Sequence, residues 1–382
     1  MQFTEQHREI RRTVARFVRE ELNPHVEEWE AAGEMPSHAI MKKAGDLGLL
    51  GIDKPEAYGG LGLDFSYQAV FSEELGGADH GSSPLLIGVH TMMSTPALAR
   101  YGSDDLRGEF LAPAIAGDLV TSIAVSEPHA GSDVAALKTT ARKDGDDYVI
   151  NGTKMWITNS TQADFFCLLA NTSDDHIHRN KSLIIVPGKT PGVSVAPKLD
   201  KLGLRASDTA QVFFEDVRVP RRYRIGEEGM GFIYQMQQFQ EERMYCALVM
   251  LKNMENCIYK TLEYTSERQA FGKPLWENQA IQFRLAELLT EVEALRSLCY
   301  DTVSQHVGGE DMTLKASMCK LKVGRLSQEV PRACLQYWGG MGFMWDNYCA
   351  RAMRDNVVAS IGGGSDETML SIIARTMARQ GR

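Results

Sequence analysis

One block of short β-rich segments lies between two helical stretches, and this order constrains the fold more than any other feature. Between residue 119 and about residue 225, turn residues separate five such segments, which read LVTSIAVS, DYVINGTKMWIT, DFFCLLA, SLIIVP and AQVFFEDVRV. The Asn151-Gly152 pair in the second segment is typical of a hairpin turn. The order of helices, strands and helices predicts a small β domain between two helical domains.

The helical stretches are predicted from the spacing of their apolar residues. In the first stretch these residues are Ile10, Val14, Phe17 and Leu22, and Asn23-Pro24 then ends the pattern. After Gly229, alternating steps of four and three connect Ile281, Leu285, Leu288, Val292, Leu295, Cys299 and Thr302. Such a seam packs against other long helices, either in the core of a bundle within one subunit or between subunits.

Length and charge exclude several classes of protein. With 382 residues the chain suggests two or three domains. No apolar run approaches the roughly 20 residues that a membrane span needs. A net charge of -9 argues against binding nucleic acid through a general basic field.

The cysteines and the start of the sequence bear on the cellular compartment. Seven cysteines are dispersed without a CxxC pair, which favours reduced thiols over a disulfide framework or a zinc site. The first residues, MQFTEQHREI, contain no apolar signal segment and no leader rich in Arg and Ser. We therefore expect a cytoplasmic protein, in the bacterial cytosol, or in the mitochondrial matrix if a leader has been removed.

The stretch AVSEPHAGSDVAA, residues 124–136, follows an apolar strand. Its glycine and small residues allow backbone N–H groups to approach an anionic or carbonyl group, and Ser126 and Ser132 add hydroxyls. Read alone, the stretch is most simply a turn. It is not GxGxxG, and no βαβ unit surrounds it, so a Rossmann nucleotide site is not predicted.

Three further motifs combine aromatic and polar residues. In KMWITN, residues 154–159, period-two alternation places Trp156 and Thr158 on one face of a strand. An indole beside a hydroxyl suits a flat aromatic cofactor, and the alternative is a core tryptophan. In RQAFGKP, residues 268–274, Arg268 suits a pyrophosphate or else caps the end of a helix. The third motif is QYWGGMGF, residues 336–343.

In this order, these motifs resemble those of the acyl-CoA dehydrogenase family, and RDNVVASIGGGSDETM, residues 354–369, resembles the family's last active-site loop. The resemblance extends from about Phe3 to Ala378. It implies a mainly α fold with a central β domain, divided into an N-terminal α-helical domain at 1–118, a middle β-barrel at 119–226 and a C-terminal four-helix bundle at 227–382. It also implies a homotetramer with one FAD per subunit.

The resemblance implies an activity and a set of FAD contacts. Family members remove two hydrogens from the Cα–Cβ bond of an acyl-CoA thioester, as in the β-oxidation of fatty acids, and pass the electrons to electron-transfer flavoprotein. Residues around the flavin would be Ile123, Val125, Ser126, Gly131, Ser132, Trp156, Ile157 and Thr158. Residues reaching the FAD of a neighbouring subunit would be Arg268, Phe271 and Gln279. Residues holding the adenosine-diphosphate part would be Gln336, Tyr337, Trp338, Gly339 and Gly340, with Ser365 and Glu367.

The reaction needs a carboxylate that takes the α-proton of the thioester. Many family members carry this glutamate in the terminal loop, where this chain has Gly363. A minority, including the isovaleryl- and long-chain-acyl enzymes, carries it on a helix of the C-terminal domain, directly before an arginine. The stretch QQFQEERMYCAL supplies Glu242 before Arg243, so Glu242 is the predicted base. Glu241 lies about 100° round the helix and is predicted to be solvated or ion-paired.

The predicted substrate contacts are Ser132, Arg243, Gly362 and Gly363. The glycine run at residues 362–364 would leave room for the carboxylate and for a branched acyl chain, and the Gly363 N–H would bind the thioester oxygen. The resemblance favours a branched or medium- to long-chain acyl-CoA, as in citronellyl-CoA dehydrogenases. The alternatives are a flavin-dependent oxidase or monooxygenase on the same fold, and a non-catalytic assembly protein, against which Glu242 and Arg243 argue.

Overall fold

The computed structural model of the protein describes residues 2–380, and its first part is helical. The bounds of these helices are α1 Glu5–Phe17, α2 Val26–Ala32, α3 Ser37–Asp46, α4 Phe65–Leu75, α5 Ser82–Gly88, α6 Pro96–Tyr101, α7 Asp104–Leu106 and α8 Ala112–Ile115. At the start of α1 the Thr4 hydroxyl accepts a hydrogen bond from the His7 N–H, and the His7 ring bonds back to the Thr4 N–H. This reciprocal cap fixes where the helix begins, and the predicted apolar face of α1 is buried.

A β domain follows. Its strands are β1 Thr121–Ala124, β2 Thr140–Asp144, β3 Asp147–Ile157, β4 Phe165–Asn171, β5 Lys181–Pro187, β6 Val193–Val195, β7 Ala210–Pro220 and β8 Arg224–Ile225. Hydrogen bonds join them in the order β6-β7-β3-β2-β4-β5-β8, and β1 pairs in parallel with β4. Residues 165–170 of β4 and residues 181–186 of β5 are buried on both faces, as the apolar runs at 165–170 and 183–186 indicate. This path does not return on itself within residues 2–380, so closure into a barrel stays a prediction.

The predicted hairpin turn at Asn151-Gly152 is wrong, because both residues lie inside β3. The turn is instead at Gly145, between β2 and β3. Asn151 exchanges hydrogen bonds of 2.9 Å with Asp216 on β7, and the register of the two strands shifts between Ile150 and Gly152. A β-bulge needs the same conformational freedom as a hairpin turn, so the Asn-Gly pair did not distinguish the two.

The remaining elements form a second helical part. They are α9 Gly231–Glu267, the short hairpin strands β9 Gln269–Ala270 and β10 Lys273–Pro274, α10 Gln279–Val307, α11 Thr313–Trp338, α12 Tyr348–Asn356 and α13 Asp366–Gln380. All seven seam residues of α10 are buried within this single chain. The interpretation of the seam as bundle core within one subunit is therefore confirmed.

The two helical parts share one apolar core. Val14 and Phe71, from the first part, belong to the same buried cluster as Leu248, Leu285 and Val323 from the second part. The β domain has clusters of its own, one of them against α6 and α8. Divisions at residues 118 and 226 stay a prediction, since the first and last predicted domains are not separately packed. Within residues 2–380, no helix combines the length and hydropathy needed to cross a membrane.

Candidate active site

One face of the long helix α9 carries three polar residues in the interior of the protein. Gln235, Gln238 and Glu242 follow at helical spacing, and all three are buried. The side-chain amide of Gln235 donates to Glu242 Oε1 at 3.1 Å, and that of Gln238 donates to the same oxygen at 2.8 Å. Gln238 is itself fixed, because its Oε1 accepts from the Ala97 N–H of α6 at 3.2 Å. The two amides therefore hold the carboxyl group in one orientation.

The environment of Glu242 changes the acidity of its carboxyl group. Burial raises the pKa of Glu242 to about 8, although the two amides and the neighbouring Arg243 act in the opposite direction. Burial, and then the charge of Glu242, raise the pKa of the Cys167 thiol on β4. Because Cys167 pairs in register with Ile123, the carboxyl group faces the strand that leads into the first motif. A carboxylate with a raised pKa in such a position suits proton abstraction.

The activity is expected to depend on pH through this group. Since the pKa of Glu242 is raised to about 8, the free enzyme carries a proton there at lower pH and cannot accept a second one. The second-order rate constant for flavin reduction should rise about tenfold per pH unit up to that pKa and then level off. The measurement is anaerobic flavin bleaching at limiting acyl-CoA from about pH 6 to about pH 10. A flat profile would contradict Glu242 as the base.

Glu241 lies on a different side of α9. Arg100 Nη2 is 2.6 Å from each of its carboxyl oxygens, and His306 Nε2 is 3.2 Å from Oε1. Burial alone would raise the pKa of Glu241, but the hydrogen bond from His306 and the Arg100 guanidinium hold it below its ordinary value. Glu241 is ion-paired, as predicted, and it is buried rather than solvated.

The glycine run faces Arg243. Gly363 and Gly364 have φ of +64° and +99°, a region that side chains other than glycine rarely adopt. A Cβ atom on Gly364 would lie 4.0 Å from Arg243 Nε, which is buried without a hydrogen-bond partner among the described residues. The glycines are therefore explained by backbone conformation and, at Gly364, by a close approach to Met369 of α13, whose Cε would lie 2.6 Å from a Cβ atom there.

A buried lysine holds the glycine run in place. Lys320 of α11 is fully buried, and its ammonium group donates to the carbonyl oxygens of Ala359 and, at 2.9 Å, Gly364. The sequence analysis missed Lys320, since a lysine within a helical pattern is ordinarily solvated. One feature of the sequence indicated that Lys320 is buried. It lies at helical spacing from Ser317 and Val323, on a face of α11 that otherwise buries small or apolar side chains.

A second buried ion pair joins two motifs of the β domain. Lys154 Nζ lies 2.9 Å from Glu127 Oε1 and donates to the Val125 carbonyl at the same distance. Glu127 also accepts the N–H groups of Lys138 and Thr139, at 2.7 and 2.9 Å. The sequence analysis missed this pair as well. Its signal was an acidic residue shortly after the end of β1 and a basic residue near the end of β3, each among uncharged neighbours.

Trp156 does not share a strand face with Thr158, contrary to the predicted alternation. Trp156 has φ +59° and is 54% exposed, and the register with β7 shifts between Lys154 and Ile157. It is therefore not a core tryptophan, whereas the side chain of Ile157 is buried in the β domain. The Thr158 hydroxyl lies 3.1 Å from that of Thr209. A strained backbone that exposes an indole is typical of a ligand site.

The residues of the first motif lie next to this indole. The Met155 N–H donates to the Ser126 carbonyl at 2.9 Å, which joins the two motifs. Val125 is buried, Ile123 and Ser126 are partly buried, and Gly131 and Ser132 are exposed. A Cβ atom on Gly131 would have no neighbour within 4 Å. Exposed N–H and hydroxyl groups beside a free indole face fit the flat, polar-edged ring of a flavin.

The predicted contacts to a neighbouring subunit's FAD lie at the far end of the bundle. Arg268, Phe271 and Gln279 are exposed, and Phe271 projects from the β9–β10 hairpin with φ +52°. Between Glu242 and Arg268, α9 rises about 39 Å, at about 1.5 Å per residue. These two groups are therefore not brought together within one chain, and one FAD cannot contact both of them in the same subunit.

The predicted adenosine-diphosphate residues are divided between two places. Gln336, Tyr337, Trp338, Gly339 and Gly340 form the end of α11 and the turn after it. There Trp338 stacks on Tyr264, with ring centroids 4.2 Å apart. Ser365 accepts from the Thr368 N–H at 3.3 Å at the start of α13, and Glu367 is exposed in its first turn. From Lys320, beside Ser365, to Gln336 the axis of α11 rises about 24 Å, so the two groups of residues are not adjacent within one chain.

Three domain profiles of one family match the chain in order. They are described as acyl-CoA dehydrogenase N-terminal domain, over residues 4–118, middle domain, over residues 122–217, and C-terminal domain, over residues 229–378. The chain belongs to the acyl-CoA dehydrogenase family. It is an acyl-CoA dehydrogenase, an oxidoreductase, and its cofactor is FAD, which fits the exposed indole and polar groups described above.

Relatives of this acyl-CoA dehydrogenase match over nearly its whole length. The mitochondrial long-chain specific acyl-CoA dehydrogenase of Sus scrofa is 37% identical over 375 residues, which cover 98% of this chain and 86% of the relative. The mitochondrial short-chain specific acyl-CoA dehydrogenase of Mus musculus is 34% identical over 382 residues, which cover 100% of this chain and 92% of the relative. The two identities are so similar that they leave the acyl chain length open.

Solved structures of the family have the same fold. The crystal structure of an acyl-CoA dehydrogenase from Geobacillus kaustophilus is 38% identical, has a TM-score of 0.94 and covers 98% of both chains. That of a glutaryl-CoA dehydrogenase from Mycobacterium smegmatis in complex with FADH2 is 29% identical, has a TM-score of 0.92 and covers 98% of this chain and 95% of that one. The predicted mainly α fold with a central β domain is confirmed.

Proposed function

We propose that Glu242 takes the α-proton of an acyl-CoA thioester while the β-hydrogen leaves as hydride, so that the Cα–Cβ bond becomes a double bond. FAD, when bound, accepts that hydride. The observation that carries the proposal is the buried carboxyl group of Glu242, whose pKa is raised to about 8 and whose Oε1 is held by two amides. Both amides bind Oε1, so Oε2 is the oxygen that receives the proton.

The glycine run would stabilise the negative charge that develops on the thioester. Loss of the α-proton places charge on the carbonyl oxygen, and a fixed N–H donor lowers the energy of that state. Within residues 2–380, the Gly363 N–H has no hydrogen-bond acceptor, whereas the Gly362 N–H bonds to the Val358 carbonyl at 2.7 Å. Gly363 would supply the donor, Lys320 would hold the loop, and Arg243 would close the cavity on the α9 side.

The substrate class is proposed as a branched or medium- to long-chain acyl-CoA. The position of the base on α9 supports this class, together with the absence of any side chain from residues 362–364. The test is anaerobic bleaching of the bound flavin by butyryl-, octanoyl-, palmitoyl-, isovaleryl- and citronellyl-CoA. Fast bleaching by at least one of octanoyl-, palmitoyl-, isovaleryl- and citronellyl-CoA is expected. Bleaching by butyryl-CoA alone would contradict the substrate class, and no bleaching by any of them would contradict the activity.

The same experiment separates a dehydrogenase from an oxidase. We propose that electrons leave to electron-transfer flavoprotein, as the family resemblance implies. The reduced enzyme should then react slowly with air in a stopped-flow instrument and fast with that flavoprotein. Fast reoxidation by oxygen would favour the oxidase alternative.

All seven cysteines are free thiols, which supports the expected reducing compartment, the bacterial cytosol.

We further propose a homotetramer in which each FAD is held by two subunits. What supports this is the rise of about 39 Å along α9 between Glu242 and Arg268, which leaves Arg268, Phe271 and Gln279 without a cofactor in their own subunit. Large apolar side chains are exposed at the same end of the bundle, among them Phe271 and Phe343, at 104% and 93%. An apolar surface of this kind is typical of a subunit interface.

Arg268→Ala is expected to weaken FAD retention and the tetramer together, because the proposed phosphate partner of this exposed arginine belongs to another subunit. A charge-assisted hydrogen bond of this kind contributes about 1.5–3 kcal/mol. The measurement is the FAD-to-protein ratio and the elution volume after dilution and gel filtration. Arg142→Ala is the matched control, since Arg142 is an exposed arginine of β2 whose one ion pair among residues 2–380 is with Asp174. Equal FAD content in both variants would contradict the assignment.

A further inference from the structure

Cys246 differs from the other cysteines of the chain. It lies one helical turn after Glu242 on α9 and is partly accessible. The others have no exposed surface, namely Cys167, Cys257, Cys299, Cys319, Cys334 and Cys349. Burial nevertheless raises the pKa of the Cys246 thiol, against the nearby charge of Lys320. Because Cys246 follows Glu242 by four residues, it lies on the Glu242 face of α9, and its accessible surface is expected to border the space beside Glu242.

The groups around this space point to a ligand. Gln235, on the Glu242 face, has no exposed surface and leaves its Oε1 without a hydrogen-bond partner among the described residues. Arg243, which is 6% exposed, leaves its Nε without one. A Cβ atom on Gly363 would lie 3.7 Å from Lys320 Cε, and the charge of Lys320 acts on the Cys246 thiol, so the glycine run lies near the same part of α9. Buried polar atoms without partners are costly unless a bound molecule satisfies them.

We propose that Cys246 forms part of the wall of the acyl cavity, beside the carbons that react, and is the one thiol of the native enzyme open to small electrophiles. The proposal rests on Glu242 as the base. Cys246 lies one helical turn from Glu242, so it is beside the reacting carbons only if Glu242 takes the α-proton. The ligand at this wall would be the Cα–Cβ part of an acyl thioester. The same thiol would be a modification site for a soft electrophile such as a maleimide.

The modification is an addition in which nothing is oxidised. The Cys246 sulfur forms a bond to one alkene carbon of the maleimide, the electron pair of the double bond moves to the other alkene carbon, and the thiol proton ends there. The reacting species is the thiolate, so the raised pKa of the Cys246 thiol makes the addition slow near neutral pH and faster in alkali. The buried cysteines react only after local opening of the fold.

The experiment labels the FAD-loaded protein with N-ethylmaleimide and follows each cysteine by peptide mass spectrometry. Cys246 is expected to react first, about tenfold faster than any other cysteine. Saturating butyryl-, octanoyl- or palmitoyl-CoA, whichever the enzyme binds, should slow the labelling of Cys246 by about tenfold without changing the others. Cys246→Ala assigns the labelled peptide. First labelling at another cysteine would overturn the proposal.

The Glu242→Gln variant separates this proposal from the proposed base. It should bind acyl-CoA without turnover, so that protection of Cys246 is measured with an unchanged ligand. Protection there, together with loss of flavin bleaching, supports both proposals. Flavin bleaching at the wild-type rate in this variant would overturn the base, and protection would still report on the cavity wall. Unchanged labelling of Cys246 in the presence of a bound acyl-CoA would contradict its position in the cavity wall. It would not affect the assignment of Glu242 as the base.

Discussion

Glu242→Gln is expected to lose nearly all flavin reduction while keeping the fold, FAD and acyl-CoA binding. The amide matches the carboxyl group in size, so the contacts with Gln235 and Gln238 can be rearranged without a cavity, but an amide has no useful basicity. Loss of a general base commonly lowers a rate by about 10²–10⁴. The loss here is expected at the upper end, because the α-proton is a weak acid and the glycine run offers no second carboxylate. The measurement is the first-order rate of anaerobic bleaching at saturating substrate.

The same variant should be more stable than the wild type in alkali. Since burial raises the pKa of Glu242 to about 8, the folded protein holds this proton more tightly than the unfolded chain. The free energy of unfolding of the wild type therefore falls as pH rises through the ordinary carboxyl range up to that pKa, and the fall ends above it. Glutamine avoids this loss, which is on the order of a few kcal/mol. Thermal unfolding at about pH 9 and about pH 5 should show a larger gain at the higher pH.

Glu241→Gln provides the matched control. The same chemical change one residue earlier removes a carboxylate that is bound to Arg100 and His306, outside the proposed cavity. Flavin bleaching should stay near the wild-type rate, while stability falls by about 1–3 kcal/mol, because a partly buried guanidinium loses its partner. The two variants should thus separate chemistry from stability. If Glu241→Gln were the variant that cannot reduce its flavin, the assignment of the base would be wrong.

Several helices and five of the eight strands of the β domain could be predicted from local patterns. The face of α1 and the seam of α10 follow from the spacing of apolar residues, because one buried face of a helix repeats every three or four residues. The buried strands β4 and β5 were likewise recognisable as short apolar runs. Strands β2, β6 and β8 of the β domain were not predicted, nor were the two-residue strands β9 and β10. Residues 193–195 and 224–225 are only three and two residues long, too short for a periodic pattern, and β2 has an exposed, charged end.

The support of the site could not be predicted, because it depends on contacts between distant parts of the chain. Lys154 is 27 residues from Glu127, and Lys320 is 44 residues from Gly364. Nothing in a single sequence says that two such groups will be buried together. The prediction that Trp156 and Thr158 share a strand face was wrong for a different reason. The left-handed backbone at Trp156 breaks the alternation on which that prediction depended. The missed lysines and the wrong strand face of Trp156 both concern residues beside the proposed site. Functional sites are where residues most often depart from the patterns of local structure.

Relocating the base should restore part of the activity. Glu242→Ala keeps the helix and is expected to reduce its flavin about 10²–10⁴ times more slowly than the wild type. Adding Gly363→Glu should raise that rate by at least about tenfold, because a carboxylate at Gly363 would enter the same cavity from the facing loop. Among the residues that the structure describes, a Cβ atom at Gly363 would have one neighbour within 4 Å, Lys320 Cε at 3.7 Å. The cost is backbone strain of about 1–2 kcal/mol, since φ there is +64°.

The position of the new carboxylate is tested by a neighbouring glycine. Gly362 does not have a positive φ, and a Cβ atom there would point back at Val358, 3.4 Å from its Cγ2. The double variant Glu242→Ala with Gly362→Glu is therefore expected to remain inactive, although it has the same composition and charge as the rescued one. Both should bind FAD, which the flavin absorbance checks before bleaching is measured. Equal recovery from both glycines would mean that any nearby carboxylate suffices. No recovery from Gly363→Glu, in a folded and FAD-loaded protein, would mean that Gly363 and Glu242 do not face one cavity.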